Sequence, residues 1–266
     1  MRSNHFYLSI LFITILGLTA CDQKQKTADQ STSQQKQSDY PVLKIQEIPA
    51  TYTLPKCSQK TCVDFDLKTL KTQDQWLNQW MANQQSQVIQ AQIHLNKPLT
   101  LQQAIDAYSQ ASQDWQKQFS ANQPYQLHLI TKIAYQQRQF VLLQLQLDSK
   151  QADIEISERQ YFFVADRKQQ KTLSMMDIIQ PNQEATLNQW VQVSYQDWLK
   201  KQTANVQGTA PKTLNWKNAD WFFDGEGIGL HYRAGEIVND AQQLDIYLSR
   251  VQTQQLLKAD IFKALF

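Results

Sequence analysis

The chain has 266 residues, 42% of them hydrophobic, with 26 Lys and Arg against 24 Asp and Glu for a formal net charge of +2. A balance this close to neutral argues against a nucleic-acid partner, which needs a basic face. About one residue in six is glutamine; scattered through apolar-periodic segments rather than clustered, it reads as solvated surface and not as a prion-like tract.

The first twenty residues read as a signal peptide. Met1 and Arg2 make a short, weakly positive start, and Phe6 to Leu18 is an apolar run. That run is too short to span a bilayer but suits a signal-peptide core. Leu18-Thr19-Ala20-Cys21 follows and resembles a bacterial lipobox: an aliphatic residue, two small residues, then a cysteine that is lipidated and becomes the new N-terminus. The alternative is an ordinary secretory signal with an incidental cysteine. The resemblance implies a lipid on Cys21, with several acyl chains anchoring the protein at about 0.8 kcal/mol per buried CH2. It further implies an envelope location, facing the periplasm. In enteric lipoproteins an Asp directly after the lipidated Cys tends to favour the inner membrane, and Asp22 stands there; inner versus outer membrane stays open. After Cys21, residues 22–40 contain no Val, Ile, Leu, Met, Phe or Trp, so 21–40 reads as a lipidated cysteine and a disordered tether. As a coil the tether reaches roughly 25 Å.

The folded part, 41–266, divides into an N-terminal α+β region, 41–170, and a C-terminal one, 171–266, expected to form one unit. "YPVLKIQEI" (40–48) and "VDFDLKTL" (63–70) alternate as half-buried strands. Between them lies "CSQKTC". An exported chain meets an oxidising compartment, so Cys57 and Cys62 are expected to form a local disulfide closing a turn. Metal binding would need more ligands, and His94, His128 and His231 are each remote in sequence from a second His or Cys; no metal or cofactor is expected. Thr72 with Gln75, and Thr100 with Gln103, have capping-box spacing and open two helices, the second carrying Leu101, Ala104, Ile105, Tyr108, Ala111, Trp115 and Phe119.

Strands follow at 125–135 and 138–148, joined by a tight turn at Gln136 and Gln137, with Leu143, Leu145 and Leu147 facing one way and Gln144 and Gln146 the other. A third strand is read at 159–166. "KTLSMMDII" then leads through Pro181 into a helix carrying Leu187, Trp190, Val191, Tyr195, Trp198 and Leu199, and residues 203–215 read as a loop. A strand pair, a strand at Leu244, Ile246 and Leu248, and a helix from about Thr253 end the chain. Hairpins with helices inserted between groups predict an α+β fold, a mainly antiparallel sheet with helices packed on it.

The stretch with the most chemistry is "WFFDGEGIGLHYRAGEI", 221–237. It reads first as a hairpin: aromatic strand residues, then Asp224-Gly225-Glu226-Gly227 as a turn needing positive φ, then apolar Ile228, Leu230 and Tyr232 alternating with Gly229, His231 and Arg233. Asp224 and Glu226 also have the chemistry of an acid and a base, but no third group is placed beside them. Asp64 with Asp66, and Asp153 with Glu155, read as solvated strand faces, and the paired tryptophans at 76/80 and 190/198 as core. No G-x-S-x-G, H-E-x-x-H, Walker loop or G-x-G-x-x-G occurs. No catalytic residue is assigned and the chain is read as no enzyme.

Several segments resemble the RsiV-type C-terminal domain of unknown function, found in lysozyme-sensing anti-sigma factors, in related envelope lipoproteins and beside the catalytic domain of some peptidoglycan deacetylases. The K-x-L-x-x-x-D-I pattern falls on Lys171, Leu173, Asp177 and Ile178; the aromatic strand, turn and Y-x-x-x-E-I on 221–237, with Tyr232, Glu236 and Ile237; a strand and L-L helix on Ile246 to Leu257. The chain departs from the pattern after E-I, where "VNDAQQ" replaces a Y-A-x-G stretch. With a lipoprotein signal at the N-terminus, an anti-sigma role is not implied, and no catalytic residue carries over. The resemblance implies an envelope binding or sensor protein, for lysozyme, peptidoglycan fragments or another wall component. The alternatives are a structural or assembly lipoprotein that binds another envelope protein, and a hydrolase with an unrecognised site. A basic partner such as lysozyme would want an acidic groove, for which Asp224, Glu226 and Glu236 are the tentative binding residues.

Overall fold

The structure, a computed structural model, describes residues 40–56, 62–119, 121–239 and 241–266. The signal segment, Cys21 and Cys57 lie outside the described residues. Cys62 is buried at the start of the second strand.

The expected α+β architecture is present. A six-stranded sheet runs in the order β1(Gln46–Pro49), β2(Val63–Lys71), β3(Tyr125–Gln137), β4(Phe140–Gln151), β5(Ile154–Asp166) and β6(Lys171–Leu173). Every neighbouring pair is antiparallel except β2–β3. That parallel pair needs a crossover, which α1(Gln75–Ala91) and α2(Leu101–Gln118) supply. β6 brings residues beyond 170 into the same sheet as the N-terminal strands. After it come α3(Met175–Ile178), α4(Glu184–Leu199), α5(Ala204–Thr209) and a second, three-stranded antiparallel sheet of β7(Asp220–Phe223), β8(Ile228–Tyr232) and β9(Leu244–Leu248). α6(Arg250–Leu256) and α7(Ala259–Leu265) close the chain.

Two cores form because the large sheet is covered on both faces near the β3–β4 turn. Val141, Leu143, Leu145 and Leu147 face α1 and α2, with Leu77, Met81, Ile105 and Tyr108. Phe140, Leu142 and Val164 face the other way, into the core built by α4, β7, β8 and β9. The unbroken run Phe140–Leu143 is therefore buried on both faces, while further along β4 Gln144 and Gln146 are only partly covered. The predicted leucine alternation holds.

Several local expectations shift. The β3–β4 turn is Arg138-Gln139, with Arg138 at φ 51, two residues later than expected; pairing continues out to Gln137↔Phe140. The first strand is only Gln46–Pro49. Helix α1 is capped by Asp74, which accepts from Leu77 N, while the Thr72 hydroxyl bonds Asn78 instead. The Thr100–Gln103 capping box forms as predicted. The segment expected as a loop contains α5, capped by Thr203. The helix expected from about Thr253 is two short ones: α6 starts at Arg250 because Ser249 caps it, which leaves Thr253 inside it and fully buried, and α7 follows from Ala259.

Glutamine is not only surface. Gln84, Gln85, Gln90, Gln92 and Gln116 are buried. Gln85 Nε2 donates to Thr69 Oγ1 (3.0 Å) and Thr131 Oγ1 (2.7 Å), and Gln92 Nε2 donates to Val88 O and to the Tyr161 hydroxyl. The long side chain carries an amide from the helix to the sheet, satisfying polar atoms that the core would otherwise strand. Polar links also fasten α1 to the far edge of the sheet: Arg167 Nε donates to Asp74 at 2.8 Å, and Trp80 Nε1 to Thr172 Oγ1 at 2.7 Å.

Candidate functional site

The 221–237 stretch is a hairpin, as read, with Phe223 paired to Ile228 and Asp220 to His231. Its turn does not use positive φ at Gly225 or Gly227. Glycine is required there for room. A Cβ at Gly227 would lie 2.2 Å from Leu248 O, and one at Gly229 2.0 Å from the Phe222 ring. Asp224 Oδ1 accepts from Glu226 N (2.8 Å), Gly227 N (3.0 Å) and the Tyr247 hydroxyl, so it holds the turn together. Burial works against its charge, but those donors prevail and hold its carboxyl below the ordinary range. Glu226 is exposed at the same turn. Glu236 lies beyond the opposite end of β8, about 17 Å of strand away, and receives Arg233 Nη2 at 2.6 Å and Arg233 N at 2.9 Å. The three acids therefore do not gather into one groove.

The face of β8 that carries the polar groups is covered: all five strand residues are buried. β7 packs on β5, where the Phe162 ring meets the His231 ring edge-on at 5.0 Å. His231, Asp220 and Asp245 are register partners across the three strands. His231 Nδ1 lies 2.6 Å from Asp245 Oδ1, and its Nε2 is buried with no hydrogen-bond partner. Asp220 accepts from Phe162 N (3.1 Å) and from Arg233 Nη1 (2.9 Å), and Arg233 lies over the Tyr161 ring at 4.7 Å. Burial pushes the Asp220 carboxyl up from its ordinary value against the pull of Arg233, while the two flanking acids keep Arg233 charged. A histidine beside a carboxylate resembles half of a nucleophile-activating set. His231 is only 1% exposed and lines none of the three cavities described below, while the Asp245 side chain is open to solvent. This polar strip joins the two sheets.

Of three concavities among the described residues, the largest is a cleft of about 830 Å³. Three walls make it: the C-terminal end of α1 (Ala91, Gln92, His94), the tip of the β4–β5 hairpin from Ser149 to Arg159, and the loop after β8 (Ala234, Gly235, Asn239, Ala241). The local sequence shapes each wall. His94 at φ 53 ends α1, with Leu95 N donating to Gln90 O. Ala152 at φ 50 turns the hairpin. An irregularity after Leu147 leaves Ser157 and Glu158 unpaired, with Glu158 at φ 52 and its N donating to Asp148 Oδ1; a bulge bends the tip out of the sheet. Arg159 Nη2 donates to Ala234 O at 3.1 Å and fastens the hairpin to the loop, where Gly235 adopts φ +73. Two residues of this cleft, Asp153 and Glu155, have the i, i+2 spacing of a solvated strand face. Both are exposed, and both line the cleft. The other walls come from segments more than fifty residues away on either side, which no local pattern links.

Two smaller cavities, of about 190 and 300 Å³, lie beside β6 and beside the α2–β3 connection. Asp64 and Asp66 are exposed on β2, as expected. Trp80 and Trp198 are buried, stacked on Trp76 and Tyr195 respectively. Among the described residues no three His, Cys, Asp or Glu side chains are grouped to hold a metal ion, and no helix is long and apolar enough to cross a membrane.

The motif residues behind the family resemblance serve the fold. Lys171 Nζ lies 3.1 Å from Asp177 Oδ1, and Asp177 also accepts from Ser174 N and Oγ, while Leu173 and Ile178 are core. Tyr232 is core, and Glu236 closes the turn after β8 through Arg233.

No family model matches the chain, and no curated protein matches it. Solved structures do. A DUF3298 family protein from Pseudomonas aeruginosa superposes with a TM-score of 0.59 at 17% identity, over 84% of this chain and 97% of that one. A member of the same family from Bacteroides fragilis gives a TM-score of 0.55 at 14% identity, over 84% and 97%. The chain has the fold of these proteins.

Proposed function

We propose that this protein is a lipid-anchored envelope binding protein of the RsiV type, held at the membrane through Cys21, with lysozyme or a cell-wall component as its ligand and the 830 Å³ cleft as its binding site. The observation that carries the reading is the fold shared with DUF3298 proteins over almost their whole length, on a chain that opens with a lipobox-like quartet. The cleft fits the role. It is the largest of the three concavities described above, it lies at the end of the sheet on a bent hairpin tip, and charged and amide side chains converge on it. Among the described residues the short histidine–carboxylate contact, His231 with Asp245, has its imidazole buried against Phe162 and paired across the β8–β9 register, a structural setting that favours binding over hydrolysis. Calorimetric titration of the full-length chain in detergent micelles, with c-type lysozyme and separately with a muropeptide mixture, tests the proposal. Saturable binding of either at micromolar affinity or tighter supports it. Absence of heat with both moves the weight to an assembly lipoprotein with another envelope protein as partner.

A further inference from the structure

The chemistry of the cleft narrows its ligand, an inference that rests on the binding reading above. Its charged groups are separated along the hairpin. At the inner end, Arg159 spends one donor on Ala234 O, and its Nε is buried with no partner. At the tip, Asp153 is exposed in the turn, and Glu155, exposed beside it, lies 3.6 Å from Lys150 Nζ. Leu147 pairs with Arg159 and Gln151 with Ile154, so four residues of β4 separate the two ends, about 13 Å. Between them the walls offer Ser149, Ser157, Gln151 and Asn239, amide and hydroxyl groups that both donate and accept. Cation, neutral amides and acid in that order match a molecule with a carboxylate at one end, N–H and C=O groups along its length, and an ammonium at the other. An extended peptide of four residues spans about 13–14 Å and fits a cleft of this volume.

The geometry points to a short, extended peptide with free ends, its terminal carboxylate on Arg159 and its amine at Asp153. Two sources present this chemistry to an envelope protein, stem peptides already cleaved from the wall glycan, whose N-terminal amine is then free, and small fragments of proteins. The test uses the full-length chain in detergent micelles and calorimetric titration with tetraalanine, its C-terminal amide, its N-acetyl form, a wall stem tetrapeptide released from its disaccharide and the disaccharide without peptide. The free tetrapeptide binds saturably, and blocking either end weakens binding about tenfold or more, the loss of one charge-assisted contact. Arg159→Gln abolishes the preference for acid over amide, and Asp153→Asn the preference for amine over acetyl. Because the blocked peptides read the same contacts in the unaltered protein, misfolding of a variant leaves the test intact. Tighter binding of the released stem tetrapeptide than of tetraalanine assigns the wall source, and equal binding assigns peptide ends in general. Equal affinity for free and blocked peptides, or binding of the peptide-free disaccharide alone, overturns the inference. If lysozyme binds and no peptide does, this inference fails while the binding reading stands; if nothing binds, both fall.

Discussion

Asp220 is the residue on which the joint between the two sheets most depends. It accepts the Phe162 N–H from β5 and the Arg233 guanidinium from the end of β8, and its side chain is 17% exposed, that of Arg233 21%. Replacing it with alanine leaves the Phe162 N–H without its acceptor, a loss of about 1–3 kcal/mol. It also removes one of two acids from Arg233. Loss of a partner from a fully buried pair costs about 3–5 kcal/mol; here Glu236 remains and both groups are partly wet, so about 1 kcal/mol is the appropriate share. Asp220→Ala should therefore destabilise by roughly 3 kcal/mol. Asp220→Asn keeps an oxygen for Phe162 N and should cost only about 1 kcal/mol. Urea unfolding read by tryptophan fluorescence separates the two: at a slope of about 2–3 kcal/mol/M the alanine midpoint falls by about 1–1.5 M. If both variants unfold within about 0.5 kcal/mol of the unaltered chain, the carboxylate does not bridge the sheets and the reasoning is refuted.

Gly227→Ala places a Cβ 2.2 Å from a backbone carbonyl and should cost about 3 kcal/mol or more; Gly208→Ala, with nothing within 4 Å in helix α5, should be neutral or stabilise by up to about 1 kcal/mol, and thermal melts of the pair check both. Asp224 has its pKa lowered despite burial, chiefly through Tyr247 and two backbone N–H donors; the stability it contributes is present above its unfolded pKa of about 4 and is lost as pH falls below that. Unfolding free energies measured between pH 6 and 3 should thus fall less steeply in Asp224→Asn, and parallel curves would contradict that role. Non-reducing peptide mapping should recover Cys57 and Cys62 in one bridged fragment, and a free thiol at Cys57 would remove the disulfide.

Local patterns carried the fold a long way. Alternation at Leu143, Leu145 and Leu147 located the central strand and its helix-facing side, and the Thr100–Gln103 box located a helix start to the residue. Misplaced features share a cause, that the deciding partner is distant in sequence. Thr72 has the spacing of a cap, but Asn78 takes its hydroxyl and Asp74 caps instead. The alternation on β8 gives its polar side but not that Phe162 of β5 covers it. Gln85 and Gln92 look like surface residues until Thr131 and Tyr161 arrive from the sheet. The cleft was the least legible feature, since α1, the β4–β5 tip and the loop after β8 meet only in three dimensions. Its one sequence trace was the Asp153–Glu155 pair.

Hydrogen exchange of the full-length chain, with and without a saturating muropeptide mixture or lysozyme, tests the central claim most directly. Ligand should slow exchange in the hairpin tip from Ser149 to Arg159 and in Ala234–Asn239 together, because Arg159 couples the two walls. Slowing confined to the Asp224 turn, or to β1 and α2, with the hairpin tip unchanged, would place the ligand elsewhere and contradict the account.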